Sequence, residues 1–132
     1  MILGIGLDLV SLADFTPLLS EDSNFTAGTF TEVERTYPSN TPLEQKLAGY
    51  FAAKEAFTKA WSGARSHQVP AVDSIQMNEI EVQHDRYGRP EICLSGAVES
   101  HFVASMGPTE IQISLSHEPT VAGAVVILTR PL

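Results

Sequence analysis

The sequence is poor in cysteine and in positive charge, and it has no long apolar run. One cysteine, Cys93, stands in 132 residues. It cannot form an intrachain disulfide, and a lone thiol with no other ligands nearby reads as packing. Eight Lys and Arg face 16 Asp and Glu, a formal charge of −8. That balance argues against nucleic-acid binding and against docking to an anionic membrane, while leaving room for a local phosphate site. No stretch approaches the roughly 18 uninterrupted apolar residues of a membrane span. The N-terminus lacks a basic region, and Asp8 breaks its apolar run. The expectation is a cytoplasmic chain with neither signal nor transmembrane segment.

What is present suits one ordinary globule. With 43% of residues hydrophobic and 18% charged, the chain is long enough for a real core in a single domain over residues 1–132. Its best helix covers about 20 residues, or roughly 30 Å at about 1.5 Å per residue. Thr41 is expected to cap it, Pro42 to sit first, Glu44 to complete a capping box and Gly63 to stop it. Leu43, Leu47, Tyr50, Phe51, Phe57 and Trp61 share one stripe. Lys54 projects from the middle of that stripe, where a cation must snorkel, pair or hold an anion. Glu55 and Lys59 lie together on one flank beside Ala48 and Ala52, whose small side chains leave room for something to approach. An i,i+4 ion pair on a solvated face is the plainer reading of the two charges.

Residues 2–10 read as a first strand weakened by Gly4 and Gly6. Asp8 is out of place there unless a turn, a cation or strong donors satisfy it. Ser11 opens a short helix with Leu12, Phe15, Leu18 and Leu19 as its apolar face. A polar break at 21–24 follows, then a second short helix capped by Thr31 and Glu34. Residues 62–71 form a polar connection carrying Arg65 and a solvated His67. Residues 75–83 and 91–94 read as a hairpin turning at Asp85-Arg86-Tyr87-Gly88-Arg89-Pro90. Ser95 caps a helix that ends at Gly107, and residues 111–115 alternate as a half-buried strand. Ser116-His117-Glu118-Pro119 turns the chain, with His117 either a turn residue or a phosphate-facing donor. Residues 122–128 make a Val-rich strand for the sheet centre. The order β-α-α-α-β-β-α-β-β gives an α+β fold, an antiparallel sheet packed against one long helix and shorter helices.

Asp8 and Glu55 are carboxylates on separate elements, and Lys54 and Lys59 share the helix of one of them. Hard carboxylate oxygens beside cations suit Mg²⁺ bridging phosphates. Arg89 and His117 would add donors to a second phosphate. The residues alone therefore favour phosphate-ester chemistry. Two alternatives stand beside an enzyme of group transfer. One is a non-catalytic module holding a nucleotide or coenzyme A, which has no need of two converging carboxylates. The other is a small nucleotide hydrolase.

Four motifs, in this order, carry a resemblance: Gly4-Ile5-Gly6-Leu7-Asp8-Leu9-Val10; Phe51-Ala52-Ala53-Lys54-Glu55-Ala56 followed by Lys59; Asp85 with Gly88-Arg89-Pro90; and Ser114-Leu115-Ser116-His117-Glu118. Over nearly its whole length the chain resembles the holo-[acyl-carrier-protein] synthases, the small bacterial type of 4′-phosphopantetheinyl transferase. The resemblance implies transfer of the 4′-phosphopantetheine arm of coenzyme A to a serine of an apo acyl carrier protein, or of a carrier domain in a fatty acid synthase. Adenosine 3′,5′-bisphosphate is the other product. It implies Mg²⁺ on Asp8 and Glu55, catalysis by these two with Lys59, and coenzyme phosphates on Lys59 and Lys54. Nucleotide and pantetheine would lie near Gly88, Arg89 and Pro90, and the 3′-phosphate near Ser116 and His117. It also implies a homotrimer with coenzyme A between neighbouring subunits.

Two departures accompany the resemblance. Asp14 stands on the first helix where a basic residue is common, and no Lys or Arg precedes Arg35. Tyr50 stands before Phe51 where Arg is common. Like charges slow encounter, so Asp14, Glu21 and Asp22 lead to the expectation of a carrier with a less acidic, more apolar face, with Phe15 and Leu18 as candidate contacts.

Overall fold

In chain order the elements are β1 (Ile2–Ser11), α1 (Leu12–Glu21), α2 (Ser23–Thr29), α3 (Glu32–Thr36), α4 (Leu43–Ala64), a 3₁₀ turn (Met77–Glu79), β2 (Ile80–His84), β3 (Pro90–Leu94), α5 (Gly96–Met106), β4 (Glu110–Glu118) and β5 (Val121–Thr129). The computed structural model describes residues 1–21 and 23–132. Asp22 and the side chain of Glu21, both expected to repel a carrier, lie outside the described residues. The architecture is the expected α+β, with α2 as one more helix than the sequence suggests. Phe25 of α2 explains the addition: it joins Phe15, Phe30 and Phe51 in a cluster with ring centroids 5.6 to 6.3 Å apart. Packing of this kind overrides a polar local sequence.

β5 lies between β1 and β4 and runs antiparallel to both, the place its apolar run demands. β2 and β3 form a separate hairpin. α4 crosses the inner face of the sheet, and Ala48, Ala52, Ala53, Ala56 and Ala60 are fully buried there. The small residues therefore seat the helix and leave no slot for a ligand. Gly4 and Gly6 are the strand's half of this seam. A Cβ on Gly6 would collide with the Ala56 carbonyl oxygen, and one on Gly4 with that of Ala60. The glycines that weaken β1 locally are what let helix and sheet approach.

Lys54 differs from its expected role. Its ammonium is wholly buried and donates to Glu34 Oε1 at 3.0 Å, to the Met77 carbonyl at 3.0 Å and to the Ile80 carbonyl. Glu34 in turn accepts from the backbone N–H of Thr31 at 2.9 Å and of Val82 at 2.8 Å. All three ammonium donors are used inside the core, so Lys54 does not reach a coenzyme phosphate. Burial pushes its pKa below the usual lysine value, and the Glu34 charge opposes that shift.

Element ends also differ in detail. Pro42, with no side-chain cap bond, is the N-cap of α4, and the helix runs past Gly63 to Ala64. The Ser95 side chain does not cap α5; the Glu79 carboxylate accepts from Ala97 N and Val98 N instead, each at 3.2 Å. The capping box of Thr31 and Glu34 is present. β4 continues through Ser116 and His117, which pair with Gly123 and Ala122, so the turn is confined to Pro119 and Thr120.

Removing one partner of a buried ion pair leaves the other charge uncompensated. Glu34→Ala should therefore cost about 3–5 kcal/mol in urea unfolding. The double variant Glu34→Gln/Lys54→Met should recover part of that loss, because it buries no bare charge. Equal losses for both variants would show that the ion pair does not set the stability here.

Candidate active site

Asp8 leaves β1 on the side that faces α4. Its carboxylate accepts from Lys59 Nζ at 3.0 Å, and Lys59 also donates to the Leu7 carbonyl at 3.1 Å. The expected Glu55–Lys59 pair within α4 is replaced by this bridge from helix to strand. Two of the three Lys59 donors are thus used, and with its side chain 55% exposed the third is free to meet solvent or an anion. Glu55 lies one turn before Lys59. Burial first, and the charge of Asp8 second, raise its carboxyl pKa, while Lys59 lowers it. Asp8 and Glu55 line one cavity of about 300 Å³ together with Ser11, Asp14, Leu18 and Phe51. Among the described residues no three His, Cys, Asp or Glu side chains converge as a metal cluster. Asp8, Asp14 and Glu55 all line this cavity, and the charge of Asp8 acts on Glu55.

Ser116 and His117 are not part of that cavity. They line a smaller one, about 150 Å³, with Tyr37, Lys46, Tyr50 and His84. Tyr37 stacks on His84 with ring centroids 3.8 Å apart, and Lys46 donates to the Tyr37 carbonyl at 2.9 Å. Tyr50 and Lys46 come from α4, His84 from the end of β2. Sequence reasoning found Ser116 and His117 but missed Lys46 and His84, because nothing local marks a residue such as His84, which the hairpin carries to Tyr50 from 34 positions away, or the α4 lysine that it meets there. The tip of that hairpin is exposed. Asp85 accepts from Tyr87 N and Arg89 N at 2.8 and 2.9 Å, and Gly88 adopts φ +83°, a value open to glycine at low cost. Arg89 lies over the Tyr87 ring at 5.1 Å. Within one chain, then, Asp8, Glu55 and Lys59 come together, whereas Gly88-Arg89-Pro90 and the Ser116-His117 pair stand apart from them.

A larger cavity of about 450 Å³ opens near the C-terminal end of α4, lined by Trp61, Arg65, His67 and Ile75 among others. It contains no carboxylate, so the acid pair lies elsewhere.

Comparison with known proteins adds the family. The model of the 4′-phosphopantetheinyl transferase superfamily matches residues 4–121. The chain belongs to this superfamily. It is 39% identical over 132 residues to a holo-[acyl-carrier-protein] synthase of Mycobacterium tuberculosis, covering 98% of each chain. Among solved structures it is similar to the ACPS–CoA complex of Chronobacterium ammoniagenes, with 35% identity, a TM-score of 0.89 and 98% of each chain covered. It is also similar to the acyl carrier protein synthase structure of Mycobacterium tuberculosis, with 39% identity, a TM-score of 0.77, and 99% and 100% covered. Among the described residues no helix is long and apolar enough to cross a membrane.

In this transferase chain the small cavity carries its own pH sensitivity. Burial, then the Lys46 charge, lower the pKa of His84, while Asp85 and Glu91 oppose them. The folded state thus prefers neutral His84. Its contribution to stability is complete above the ordinary histidine pKa of about 6.5 and is lost as pH falls through the lowered folded value. Urea midpoints should drop on acidification below that point, and His84→Gln should flatten the slope. An unchanged slope in the variant would assign the acid sensitivity to other groups.

Proposed function

We propose that the chain is a Mg²⁺-dependent holo-[acyl-carrier-protein] synthase acting as one domain over residues 1–132. It moves 4′-phosphopantetheine from coenzyme A to a serine of an apo acyl carrier protein or carrier domain for fatty acid synthesis, in the cytoplasm. One observation carries the reading: Asp8 from β1 and Glu55 from α4 face a single cavity, with Lys59 bound to Asp8 and holding one spare donor. The family match and its synthase relatives support it.

The donor set fits Mg²⁺. Two hard carboxylates share a cavity, and burial first, then the charge of Asp8, raise the pKa of Glu55; a divalent cation on Asp8 and Glu55 would offset the second of these. When bound, Mg²⁺ supplies positive charge that offsets the charge building on the pyrophosphate being cleaved. The chain's own groups do the rest. The serine oxygen forms a bond to the β-phosphorus as the bond to the bridging oxygen breaks, and adenosine 3′,5′-bisphosphate leaves. The spare N–H of Lys59 holds a non-bridging oxygen in line. The serine proton passes to Glu55, directly or through a water. Ser116 and His117, beside Lys46, receive the 3′-phosphate, and the exposed tip at Gly88, Arg89 and Pro90 covers nucleotide and pantetheine.

A homotrimer with interfacial sites completes the reading. On the outer face of the sheet Ile5, Leu7 and Leu9 are 62, 61 and 68% exposed. Ile5 and Leu7 lie beside Ile127 and Val125 of β5. An apolar patch of this kind supports burial against neighbouring copies. The separation of the two cavities supports a coenzyme shared between chains.

Intact mass of apo carriers after incubation with coenzyme A and Mg²⁺ tests the class: a gain of one phosphopantetheine is expected. A binding module would transfer nothing, and a hydrolase would consume coenzyme A without an acceptor. Asp8→Ala and Glu55→Ala should each abolish the gain while leaving the fold intact, and near-normal transfer by either would sink the metal assignment. His117→Ala should raise the KM for coenzyme A about 10- to 100-fold, the loss of one charged hydrogen bond to phosphate. The same loss with dephospho-coenzyme A, which lacks the 3′-phosphate, would remove His117 from that role.

A further inference from the structure

The cavity that holds Asp8 and Glu55 is walled on its α1 side by Asp14 and Leu18. The other two acids have compensation. Asp8 is bound to Lys59, and Glu55 joins it as a metal ligand in the proposed reaction. Asp14 has neither. Its carboxylate is exposed, and no ion pair among the described residues includes it. It does not converge with the other two acids as part of a metal cluster. The residues that line the cavity include no Lys, Arg or His. Leu18, next to this charge, is 39% exposed. Phe15, the other expected contact on α1, is only 2% exposed and belongs to the aromatic core, so it presents no surface to a partner.

We propose that Asp14 is a specificity-determining residue for the acceptor: it selects a carrier segment that places a lysine or arginine beside the acceptor serine, with an aliphatic side chain against Leu18. This rests on the transferase reading above and names its acceptor more closely. The serine must enter the cavity to reach the phosphorus, so the residues flanking it pass the α1 wall. A carboxylate in that segment would meet Asp14, which no ion pair among the described residues neutralises. A basic side chain would meet an unpartnered acid at a rim, where charge mainly sets encounter rate and partner choice. Exposure keeps the effect moderate and sensitive to salt.

The experiment uses two apo carriers that differ only in the residues on either side of the acceptor serine, glutamate in one and lysine in the other. Transfer from coenzyme A is measured for the wild-type chain, Asp14→Asn and Asp14→Lys, and the ratio of kcat/KM for the two carriers is compared. The ratio is internal to each variant, so a general loss of activity cancels, and thermal melting confirms that each variant folds. The wild type should favour the lysine carrier about 5- to 10-fold at low salt. Asp14→Asn should bring the ratio near one, Asp14→Lys should invert it, and added salt should compress all three. A ratio that stays the same across the variants overturns the proposal. So does a preference of the wild type for the glutamate carrier. A higher Mg²⁺ requirement in Asp14→Asn with the carrier ratio unchanged would place Asp14 in the metal site instead. If the wild type modifies neither carrier nor any other apo carrier, the transferase reading itself fails, and this proposal with it.

Discussion

The buried ion pair of Lys54 and Glu34 is the constraint on which the arrangement of the molecule depends. An ammonium in an apolar core is unfavourable by several kcal/mol unless its charge and donors are met. Here one carboxylate and two carbonyls meet them, and those partners belong to different parts of the chain. Glu34 comes from α3, the Met77 carbonyl from the 3₁₀ turn, and the Ile80 carbonyl from the start of β2. Glu34 extends the tie to the Val82 N–H. One side chain on α4 thereby fixes where α3 ends and where the β2–β3 hairpin begins. That hairpin carries His84 to the small cavity and presents Gly88, Arg89 and Pro90 at its tip.

A second constraint, steric and not electrostatic, sets the acid pair. Gly4 and Gly6 on β1 meet Ala56 and Ala60 on α4 at a distance that admits no Cβ. Asp8 follows on the same face of the same strand, and Glu55 and Lys59 bracket the alanine that touches Gly6. The seam thus brings a strand carboxylate, a helix carboxylate and a helix cation to one edge without any loop. A site held by two packed regular elements keeps its geometry better than one held by flexible connections. The neighbouring residues Lys54 and Glu55 differ by about 100° around the helix. That one step separates a core anchor from a cavity wall.

Much of this was legible in sequence because it is periodic or local. The alternation of β4, the Val-rich run of β5, the hairpin turn and the capping box of Thr31 and Glu34 are each written in neighbouring residues. Asp8 stood out because a carboxylate among Leu and Val needs a reason. What sequence did not reveal is long-range or steric. Lys54 offered three options on the helix wheel, and only the arrival of Glu34 from 20 residues away chooses pairing. Ala48 and Ala52 look like open space on an isolated helix and are filled by the sheet. α2 has little apolar pattern of its own and follows from the docking of Phe25. The Glu55–Lys59 spacing suggested a local pair, but Asp8 on β1 offers Lys59 a better partner because the Leu7 carbonyl lies beside it.

The net charge of −8 and a site for phosphate chemistry are compatible once distance is considered. Charges more than about 10 Å apart are largely screened at 0.1 M salt, so the total governs approach and solubility while the immediate neighbours govern binding. Lys59, bound to Asp8, and Lys46, which lines the smaller cavity with His84 and His117, are local cations at two separate places. Among the described residues no cation pairs with Asp14 at the wall. A uniformly basic surface would draw any polyanion to the chain. An acidic surface with few cations, some of them beside the two cavities, restricts attraction to ligands that reach those cations. The same separation would let Asp14 discriminate among acceptors without disturbing the groups proposed to hold phosphate: it lines the cavity from another helix, exposed and in no ion pair among the described residues, while Asp8, Glu55 and Lys59 are organised by the packing of α4 on β1.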